Sequence, residues 1–208
     1  MTGYSGVAAL VPLAYLIGAL PFGLLVGRLA GGVDLREHGS GRIGATNALR
    51  TVGLAGAVLT FLLDLGKGVL AILLVSWLYK AGPPGSPLWV GAAAGIAAVA
   101  GHIRSVFIGF RGGRGVATFA GAMLAVSPWT VAVVVPIFAL IVWRTRIVSL
   151  GSLIGVVLAP LVTAGLVLVG QARWEGVVLA LGGATMVTIA HRDNIARLRA
   201  GTERRIGR

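Results

Sequence analysis

Long apolar stretches alternate with short arginine-rich segments along the whole chain. Three of these stretches reach the ~20 residues that an α-helix needs to cross a bilayer: Val7 to Val26, Leu54 to Leu78 and Val148 to Val169. Two shorter stretches, Leu88 to Ala100 and Gly176 to Ala190, are also predicted to cross, the first by extension as far as Ile108. The pattern predicts an all-α integral membrane protein.

The stretch from Val116 to Trp143 is interrupted near its middle by Ser127 and Pro128. Because proline disfavours helical geometry in the residue before it, this stretch is either two short crossings that turn at Pro128 or one re-entrant hairpin. A Gly-Pro-Pro-Gly turn at 82–85 precedes the stretch from Leu88 to Ala100. In the last stretch, the Gly182-Gly183 pair is expected to bend the helix or to let a neighbouring helix approach closely.

Basic residues are distributed unevenly between the predicted loops. Fifteen of the 18 Lys and Arg residues lie in four segments: 28–50, 104–114, 144–146 and 192–208. Since cytoplasmic loops are enriched in basic residues, these four segments are predicted to face the cytoplasm. The chain must then leave and return between 116 and 143, which gives about seven crossings with the amino terminus outside and the carboxyl terminus inside. Met1 to Leu10 lacks the basic leader and cleavage site of a signal peptide.

The amino-acid composition excludes several kinds of active site. Of the 208 residues, 57% are apolar, which is more than a soluble domain buries. The absence of cysteine excludes disulfides, thiolate metal sites and thiol nucleophiles. Six dispersed acids are too few for a paired-carboxylate or two-metal site, so neither a metal nor a cofactor is expected. The net charge of +12 is explained by membrane orientation rather than by nucleic acid. One transmembrane domain, 1–208, is expected.

Two arginine-rich segments combine glycine with polar and cationic side chains. Residues 39–50 read GSGRIGATNALR, and residues 109–118 read GFRGGRGVAT and continue into a predicted helix. Backbone N–H groups, hydroxyls and guanidinium groups arranged in this way bind anions, particularly at a helix amino terminus. The second segment is not a Walker A loop. For the first segment, the alternative is a flexible loop whose arginines only set the topology.

Two further features place charge at or near the membrane. Asp64 and Lys67 lie three residues apart on one face of a predicted crossing, and form either an ion pair that fixes helix packing or a direct substrate contact. Residues 190–203 read AHRDNIARLRAGTE, a pattern typical of an amphipathic helix on anionic lipid. His191 is then either a polar anchor or a base. The predicted topology brings this segment to the same side as the two glycine-rich loops.

Four motifs follow one another along the chain: G-S-G-x-x-G-A-T-N-x-x-R at Gly39 to Arg50, L-D-x-x-K-G at Leu63 to Gly68, G-H-x-x-x-x-F-x-x-F-x-G-G-(K/R)-G-V-A-T at Gly101 to Thr118, and H-x-x-N-I-x-R-L-x-x-G-x-E at His191 to Glu203. Together they span about three quarters of the chain. They resemble the acyl-phosphate:glycerol-3-phosphate acyltransferase (PlsY-type) family of bacterial membranes.

The resemblance implies a seven-helix membrane enzyme whose active site opens to the cytoplasm. Such an enzyme transfers a fatty acyl group from acyl phosphate to the 1-hydroxyl of sn-glycerol 3-phosphate. The products are lysophosphatidic acid and inorganic phosphate, in the first acylation of phospholipid synthesis. Acyl phosphate, glycerol 3-phosphate and membrane lipid are the implied partners, and neither acyl-CoA nor acyl carrier protein is the direct donor in this family.

The same resemblance implies roles for individual residues. Ser40, His191 and Asn194 are the implied catalytic residues. The implied substrate-binding residues are Ser40, Thr46, Asn47, Arg50, Lys67, Gly112, Gly113, Arg114, Gly115, Ser149, Ser152, His191 and Asn194. The family commonly has Asn at the position of Arg42 and Lys at that of Arg114. Arg114 replaces a compact ammonium by a planar fork, and Arg42 either adds a cation near the donor phosphate or points to lipid headgroups.

The leaving group decides between two mechanisms. Acyl phosphate is already activated, so direct attack by the glycerol hydroxyl is favoured over an acyl-enzyme on Ser40. Arg50, Arg114 and the glycine-loop N–H groups would hold the two phosphates, and His191 or a substrate phosphate oxygen would take the proton. An organic-anion transporter is the main rival; it is disfavoured because the anion motifs gather on one face and no repeat is evident. A phosphatidyl-alcohol transferase would need an aspartate cluster.

Overall fold

The regular structure of the chain is helical throughout the part described by the computed structural model, residues 3–80 and 87–207. The helices are α1 (Gly3–Ala19), α2 (Phe22–Gly31), α3 (Ala45–Thr51), α4 (Gly53–Lys80), α5 (Pro87–Ile103), α6 (Val116–Val126), α7 (Pro128–Thr145), α8 (Val148–Leu168), α9 (Trp174–Ala190) and α10 (Arg192–Arg199), with one 3-10 turn at Val106–Ile108. No strand occurs in these ranges, which confirms the all-α prediction. The turn predicted at 82–85 lies outside the described residues.

Several helices have the length and composition of membrane spans. Five stretches qualify within the described ranges: Ala9–Gly31, Gly53–Tyr79, Trp89–Ile108, Pro128–Thr145 and Val148–Leu168. The pair α9 and α10 forms a sixth candidate that is bent by 63° at the junction. Helix α6 is apolar but only 11 residues long. The count of seven crossings and the outward amino terminus stay predictions.

Proline places two of the breaks between helices. The first predicted crossing, Val7 to Val26, is in fact two helices, because Pro21 lacks the N–H that would continue α1 and α2 begins after it. The predicted break at Ser127 and Pro128 is confirmed. Pro128 is the first residue of α7, a position where the missing N–H costs no helical hydrogen bond.

Glycines bring helices α4 and α6 into backbone contact. Gly68 of α4 lies against the backbone of Thr118, and Gly121 of α6 lies against the backbone of Leu65. A Cβ atom at either glycine would overlap the opposite main chain, so a larger residue would push the two helices apart. This close pairing fixes where the first turn of α6 lies relative to α4.

Helix α9 is continuous through Gly182 and Gly183. The two glycines lie against the side chains of Ile96 and Phe119, respectively. Of the two roles expected for this pair, close approach of a neighbour is therefore the one observed, and a bend is not. Ile96 packs against the buried core that α4, α5, α6, α8 and α9 share, and Phe119 belongs to it.

Candidate active site

A cavity of about 150 Å³ joins residues from three of the four arginine-rich segments, 28–50, 104–114 and 192–208. Its polar and charged lining consists of Ser40, Arg42, Thr46, Asn47, Arg50, Asp64, His102, Arg114, Ser149, Ser152, His191, Asn194, Glu203 and Arg204. Four arginines thus meet two carboxylates, which leaves an excess of positive charge. Arg50, Arg114 and Asn194, which belong to three different motifs, are brought together here.

Four helices begin at this cavity, the first of them α3, whose amino-terminal cap is Gly44. Gly115, with φ +85°, is the amino-terminal cap of α6, and Ser149 and Asn194 lie in the first turns of α8 and α10. The first N–H groups of a helix have no acceptor within the helix, and the helix dipole is positive at this end. Backbone and side chains therefore favour an anion in the same place.

Arg114 shows most clearly that the cavity is built for an anion. Its Nε atom is buried and has no hydrogen-bond partner within the described chain. Burial, followed by the nearby Arg42 and Arg197, lowers the pKa of Arg114 to about 10, which still leaves the guanidinium charged at neutral pH. A buried charged donor without an acceptor is costly, so this side chain is suited to a phosphate oxygen. Burial and the charge of Arg204 also lower the pKa of Arg50.

Glu203 organises the carboxyl-terminal side of the cavity. Its carboxylate accepts hydrogen bonds from Ser149 Oγ at 3.0 Å, Asn194 Nδ2 at 2.7 Å and Arg197 Nε at 2.9 Å. Because Asn194 uses Nδ2 for this contact, its Oδ1 is the atom left over, and Oδ1 is buried without a hydrogen-bond partner in the part of the chain described. Asn194 is therefore oriented to accept a hydrogen bond from a ligand hydroxyl.

His191 lies at the bend between α9 and α10 and is 2% exposed. Its Nδ1 is 2.8 Å from the carbonyl oxygen of Val187. Since a carbonyl only accepts, Nδ1 carries the proton and Nε2 is left as an acceptor. Burial, together with the charges of Arg114 and Arg42, lowers the pKa of His191 to about 4 despite the hydrogen bond to Val187. The imidazole is thus neutral at neutral pH and has a free lone pair.

Asn47 shapes the first glycine-rich loop from inside. It is 2% exposed, and its Oδ1 accepts a hydrogen bond from the backbone N–H of Ser40 at 2.9 Å. Its Nδ2 donates to the carbonyl oxygens of Leu35, His38 and Arg42 at 2.8, 3.0 and 2.8 Å. Although Asn47 lines the cavity, its amide is committed to holding the loop that carries Ser40.

Arg42 lines the cavity, and its guanidinium lies 3.6 Å from the carboxylate of Asp193. This position favours the first of the two alternatives for this residue, a cation near the phosphate site. Ser40, Thr46, Gly115 and Ser152 also line the cavity, as the motifs imply.

Gly112 and Gly113, expected in the substrate site, do not line the cavity. The N–H of Gly112 donates to Ile103 O at 3.2 Å, and that of Gly113 donates to His102 O at 3.1 Å. These two N–H groups hold the loop against α5 and are not available to a phosphate. Gly115 and the first turn of α6 line the cavity in their place.

Lys67 does not line the cavity either. Its Nζ lies 2.8 Å from Asp64 Oδ1 and donates to Leu20 O at 2.9 Å, and both charged side chains are 1% exposed. Leu20 lies at the break between α1 and α2, where its carbonyl oxygen also accepts a hydrogen bond from the N–H of Phe22 at 3.0 Å. Of the two alternatives for this pair, the ion pair describes the contacts of Lys67, whereas Asp64 also lines the cavity, 3.4 Å from His102 Nδ1.

Replacing Lys67 by methionine should destabilise the protein by roughly 3–5 kcal/mol, because it leaves the Asp64 carboxylate buried without its partner. The measurement is the apparent melting temperature in detergent. Arg28→Met serves as the control, since the Arg28 side chain is 59% exposed and should tolerate the change. Equal melting temperatures for Lys67→Met and Arg28→Met would show that the pair does not stabilise the fold.

A second cavity of about 150 Å³ adjoins the first and lies between α4, α6, α7 and α8. Five residues line both cavities: Phe61, Val116, Ala117, Phe138 and Ser152. The polar site thus opens directly into an apolar one.

In the described ranges, no group of three or more His, Asp or Glu residues is placed to hold a metal ion.

Several site residues were not expected from the sequence. Glu203 ends the last motif and His102 lies in the third, but neither had an assigned role, and Phe61 and Phe138 come from helices read as spans. For Glu203 and His102, the signal was their place within a motif. Phe61 and Phe138 lie in apolar stretches that give no sign of which face meets a cavity.

The family model described as glycerol-3-phosphate acyltransferase matches residues 8–201. Among curated relatives, the glycerol-3-phosphate acyltransferase of Synechococcus sp. (strain JA-3-3Ab) is 48% identical over 194 residues, covering 93% of this chain and 90% of the relative. That of Geobacter sulfurreducens is 44% identical over 196 residues, covering 94% and 95%.

Two solved structures share the fold. Both are crystal structures of PlsY, an integral membrane glycerol 3-phosphate acyltransferase. Its glycerol 3-phosphate form superposes with a TM-score of 0.84 at 37% identity and covers 97% of this chain and 96% of the other. Its lysophosphatidic acid form gives 0.83 at 36% identity, covering 97% and 95%. Similarity thus extends over nearly the full length in both sequence and fold.

Proposed function

Since the chain belongs to the glycerol-3-phosphate acyltransferase family of integral membrane enzymes, we propose that it transfers a fatty acyl group from acyl phosphate to the 1-hydroxyl of sn-glycerol 3-phosphate. The products are lysophosphatidic acid and inorganic phosphate. The buried Arg114 Nε without an acceptor, in a cavity with three further arginines, is the observation that carries this proposal. Both reactants bear a phosphate that such a site would bind.

The adjoining cavities match the two halves of an acyl phosphate. A phosphate among Arg42, Arg50 and Arg114 would leave the hydrocarbon chain next to Phe61 and Phe138, at the entrance to the apolar cavity. Burial of that chain contributes binding free energy and fixes the position of the reacting carbonyl. The guanidinium groups stabilise the negative charge that develops as phosphate departs.

The reaction proceeds by direct attack. The oxygen of the glycerol 1-hydroxyl bonds to the acyl carbonyl carbon, and the bond from that carbon to the phosphate oxygen breaks. The hydroxyl proton passes to His191 Nε2 and then to the departing phosphate. Asn194 Oδ1 accepts a hydrogen bond from the glycerol unit and so orients it toward the carbonyl. Ser152, at the junction of the cavities, lies beside the reacting groups.

Ser40 binds phosphate in this mechanism and is not acylated. Within the described residues, no hydrogen bond joins the Ser40 hydroxyl to an imidazole or carboxylate that would activate it. Intact-mass spectrometry of the protein mixed with acyl phosphate alone is therefore expected to show an unmodified chain. A mass increase of one acyl group that disappears in Ser40→Ala would establish an acyl-enzyme instead.

The proposed reaction takes place at the cytoplasmic side of a membrane. The chain forms one transmembrane acyltransferase domain in the bacterial plasma membrane, with seven crossings, an outward amino terminus and a cavity open to the cytoplasm. The excess of arginine in the four arginine-rich segments, three of which line the cavity, supports this orientation. Glycerol 3-phosphate would enter from the cytoplasm, and the acyl chain would enter from the bilayer.

A donor comparison tests the proposed reaction. The purified protein in detergent is mixed with glycerol 3-phosphate and either palmitoyl phosphate or palmitoyl-CoA, and lysophosphatidic acid and phosphate are measured. We expect equal amounts of both products from palmitoyl phosphate, dependent on both substrates and unchanged by EDTA. Transfer from palmitoyl-CoA alone would contradict the proposed donor. Binding of glycerol 3-phosphate without turnover of either donor would point to a transporter.

A further inference from the structure

We propose that the closed end of the apolar cavity limits the length of the acyl chain that the enzyme prefers, with Met123, Thr130 and Ala159 forming the stop. This inference rests on the proposed function, because it takes the hydrocarbon chain of the acyl phosphate as the occupant of the cavity. The stop is a specificity determinant and takes no part in the acyl transfer itself.

The lining of the cavity suits a hydrocarbon chain. Its hydroxyl-bearing residues are Ser152 and Thr130, and both hydroxyls bond within the protein, that of Ser152 to Val148 O at 3.0 Å. All the other lining residues are aliphatic, aromatic, methionine or glycine. Because the cavity adjoins the arginine-rich site, an acyl group whose phosphate is held there has apolar surface directly beside it.

The reach of the cavity follows from the helices that enclose it. Along α6 its lining extends from Val116 to Met123, and along α8 it extends from Gly151 to Ala159. At 1.5 Å per residue, these segments are ~10 Å and ~12 Å long. Helix α7 contributes residues from Phe138 at the arginine-rich end to Thr130 at the far end.

Hydrogen bonds close the far end. Helix α6 ends at Val126 and α7 begins at Pro128, so a cleft between these helices closes where they join. Ser127 Oγ lies 2.8 Å from Thr130 Oγ1, which lies 2.9 Å from Thr163 Oγ1, and Thr163 donates to Ala159 O at 2.7 Å. Each of the three hydroxyl-bearing residues is at most 3% exposed.

A further helix supports this end from behind. A Cβ atom at Gly176 of α9 would lie 3.2 Å from Thr163 Cγ2 and 3.5 Å from Val126 Cγ1, so the first turn of α9 packs directly against the corner. Opening the cavity here would break buried hydrogen bonds and separate packed helices. The stop is therefore rigid enough to distinguish chains that differ by a few methylenes.

A chain that is too long must leave the cavity sideways. Phe61 of α4 and Val135 of α7 line the cavity and are 44% and 48% exposed, so the opening toward the bilayer lies between these helices. Moving the stop toward the arginine-rich site forces this bend closer to the reacting carbonyl. Moving the stop away lets a longer chain lie straight.

Two substitutions shift the stop in opposite directions. Ala159→Leu fills the end of the cavity and should lower kcat/KM for stearoyl phosphate relative to decanoyl phosphate by roughly tenfold. Met123→Ala lengthens the cavity and should shift the same ratio toward the longer donor. The matched control is Ala132→Leu, at an exposed position on α7 outside both cavities, which should keep the unmodified profile.

The ratio of kcat/KM values for a series of saturated acyl phosphates, from decanoyl to stearoyl, is the measurement. This ratio does not depend on the amount of folded enzyme. If Ala159→Leu does not fold, Met123→Ala alone tests the stop. Profiles that match the Ala132→Leu control would overturn the chain-length inference and leave the acyl-phosphate donor standing. Failure of the unmodified enzyme with every acyl phosphate would instead remove the proposed function and this inference with it.

Discussion

Replacing Arg114 by alanine is expected to lower kcat/KM for acyl transfer by roughly 10³-fold, the upper range for removing one preorganised donor to developing negative charge. Arg114 is the guanidinium whose buried Nε has no protein partner, so its binding capacity is available to substrate. The variant should fold, because removing an unpaired buried charge leaves no partner stranded in the protein. The measurement is the initial rate of phosphate release as each substrate is varied.

Two matched variants sharpen this prediction. Arg111 belongs to the same loop but is exposed and outside the cavity, so Arg111→Ala should stay within a few-fold of the unmodified enzyme. Arg114→Lys keeps the charge but loses the planar fork, and should fall between the two. If Arg114→Ala and Arg111→Ala lose activity equally, the loop contributes general charge rather than a specific phosphate contact.

Replacing His191 by asparagine is expected to lower kcat by roughly 10²–10⁴-fold, the range for loss of a positioned general base. The change removes the Nε2 acceptor that the hydrogen bond to Val187 leaves free. The KM for glycerol 3-phosphate should change far less than kcat, because Arg114 and Asn194 remain. His38→Asn is the control, since His38 is exposed and does not line the cavity. Near-normal turnover of His191→Asn would assign the proton to a substrate phosphate oxygen.

The pH dependence follows from the same residue. Burial holds the pKa of His191 at about 4 in the folded protein, below its ordinary value of 6.5. The activity of the free enzyme that depends on the neutral imidazole should therefore persist below pH 6 and be lost as the pH falls through about 4. Stability changes in the same direction: it is complete above the unfolded pKa of 6.5 and is lost as the pH falls toward the folded value of about 4, because the unfolded imidazole takes up a proton in this range and the folded one does not.

Both effects are measured as differences between the unmodified enzyme and His191→Asn. For each protein, log(kcat/KM) and melting temperature are measured against pH. The ionisations of the substrates and of all other groups are common to both proteins, so they cancel in the difference. A His191-dependent limb near pH 6.5 in the profile of log(kcat/KM) would show that the cavity does not desolvate the imidazole.

The convergence of the site was predictable from the sequence because it depends on topology. Arg50, Arg114 and Asn194 each lie in an arginine-rich segment, and segments on one side of a bilayer are confined to a shared layer. The break at Pro128 was predictable for a local reason, since a proline ring clashes with the preceding turn of a helix. The all-α class follows from the length of the apolar stretches.

Other features depend on tertiary contacts that no local pattern specifies. The motif marks Gly112 and Gly113, but only the position of α5 shows that their N–H groups donate to Ile103 and His102. The spacing of Asp64 and Lys67 left their role open until Leu20 O was found to share the ammonium. The apolar cavity is a property of four helices together, so no single stretch indicates it.

Binding of a phosphate at Arg114 is best tested by a structure of the protein with glycerol 3-phosphate and, in a second experiment, with inorganic phosphate. We expect a phosphate in the cavity within hydrogen-bond distance of the Arg114 guanidinium, with Arg50 facing the same space and His191 Nε2 near the glycerol 1-hydroxyl. A phosphate bound away from Arg114, or Arg50 and Arg114 on opposite sides of the membrane, would contradict it.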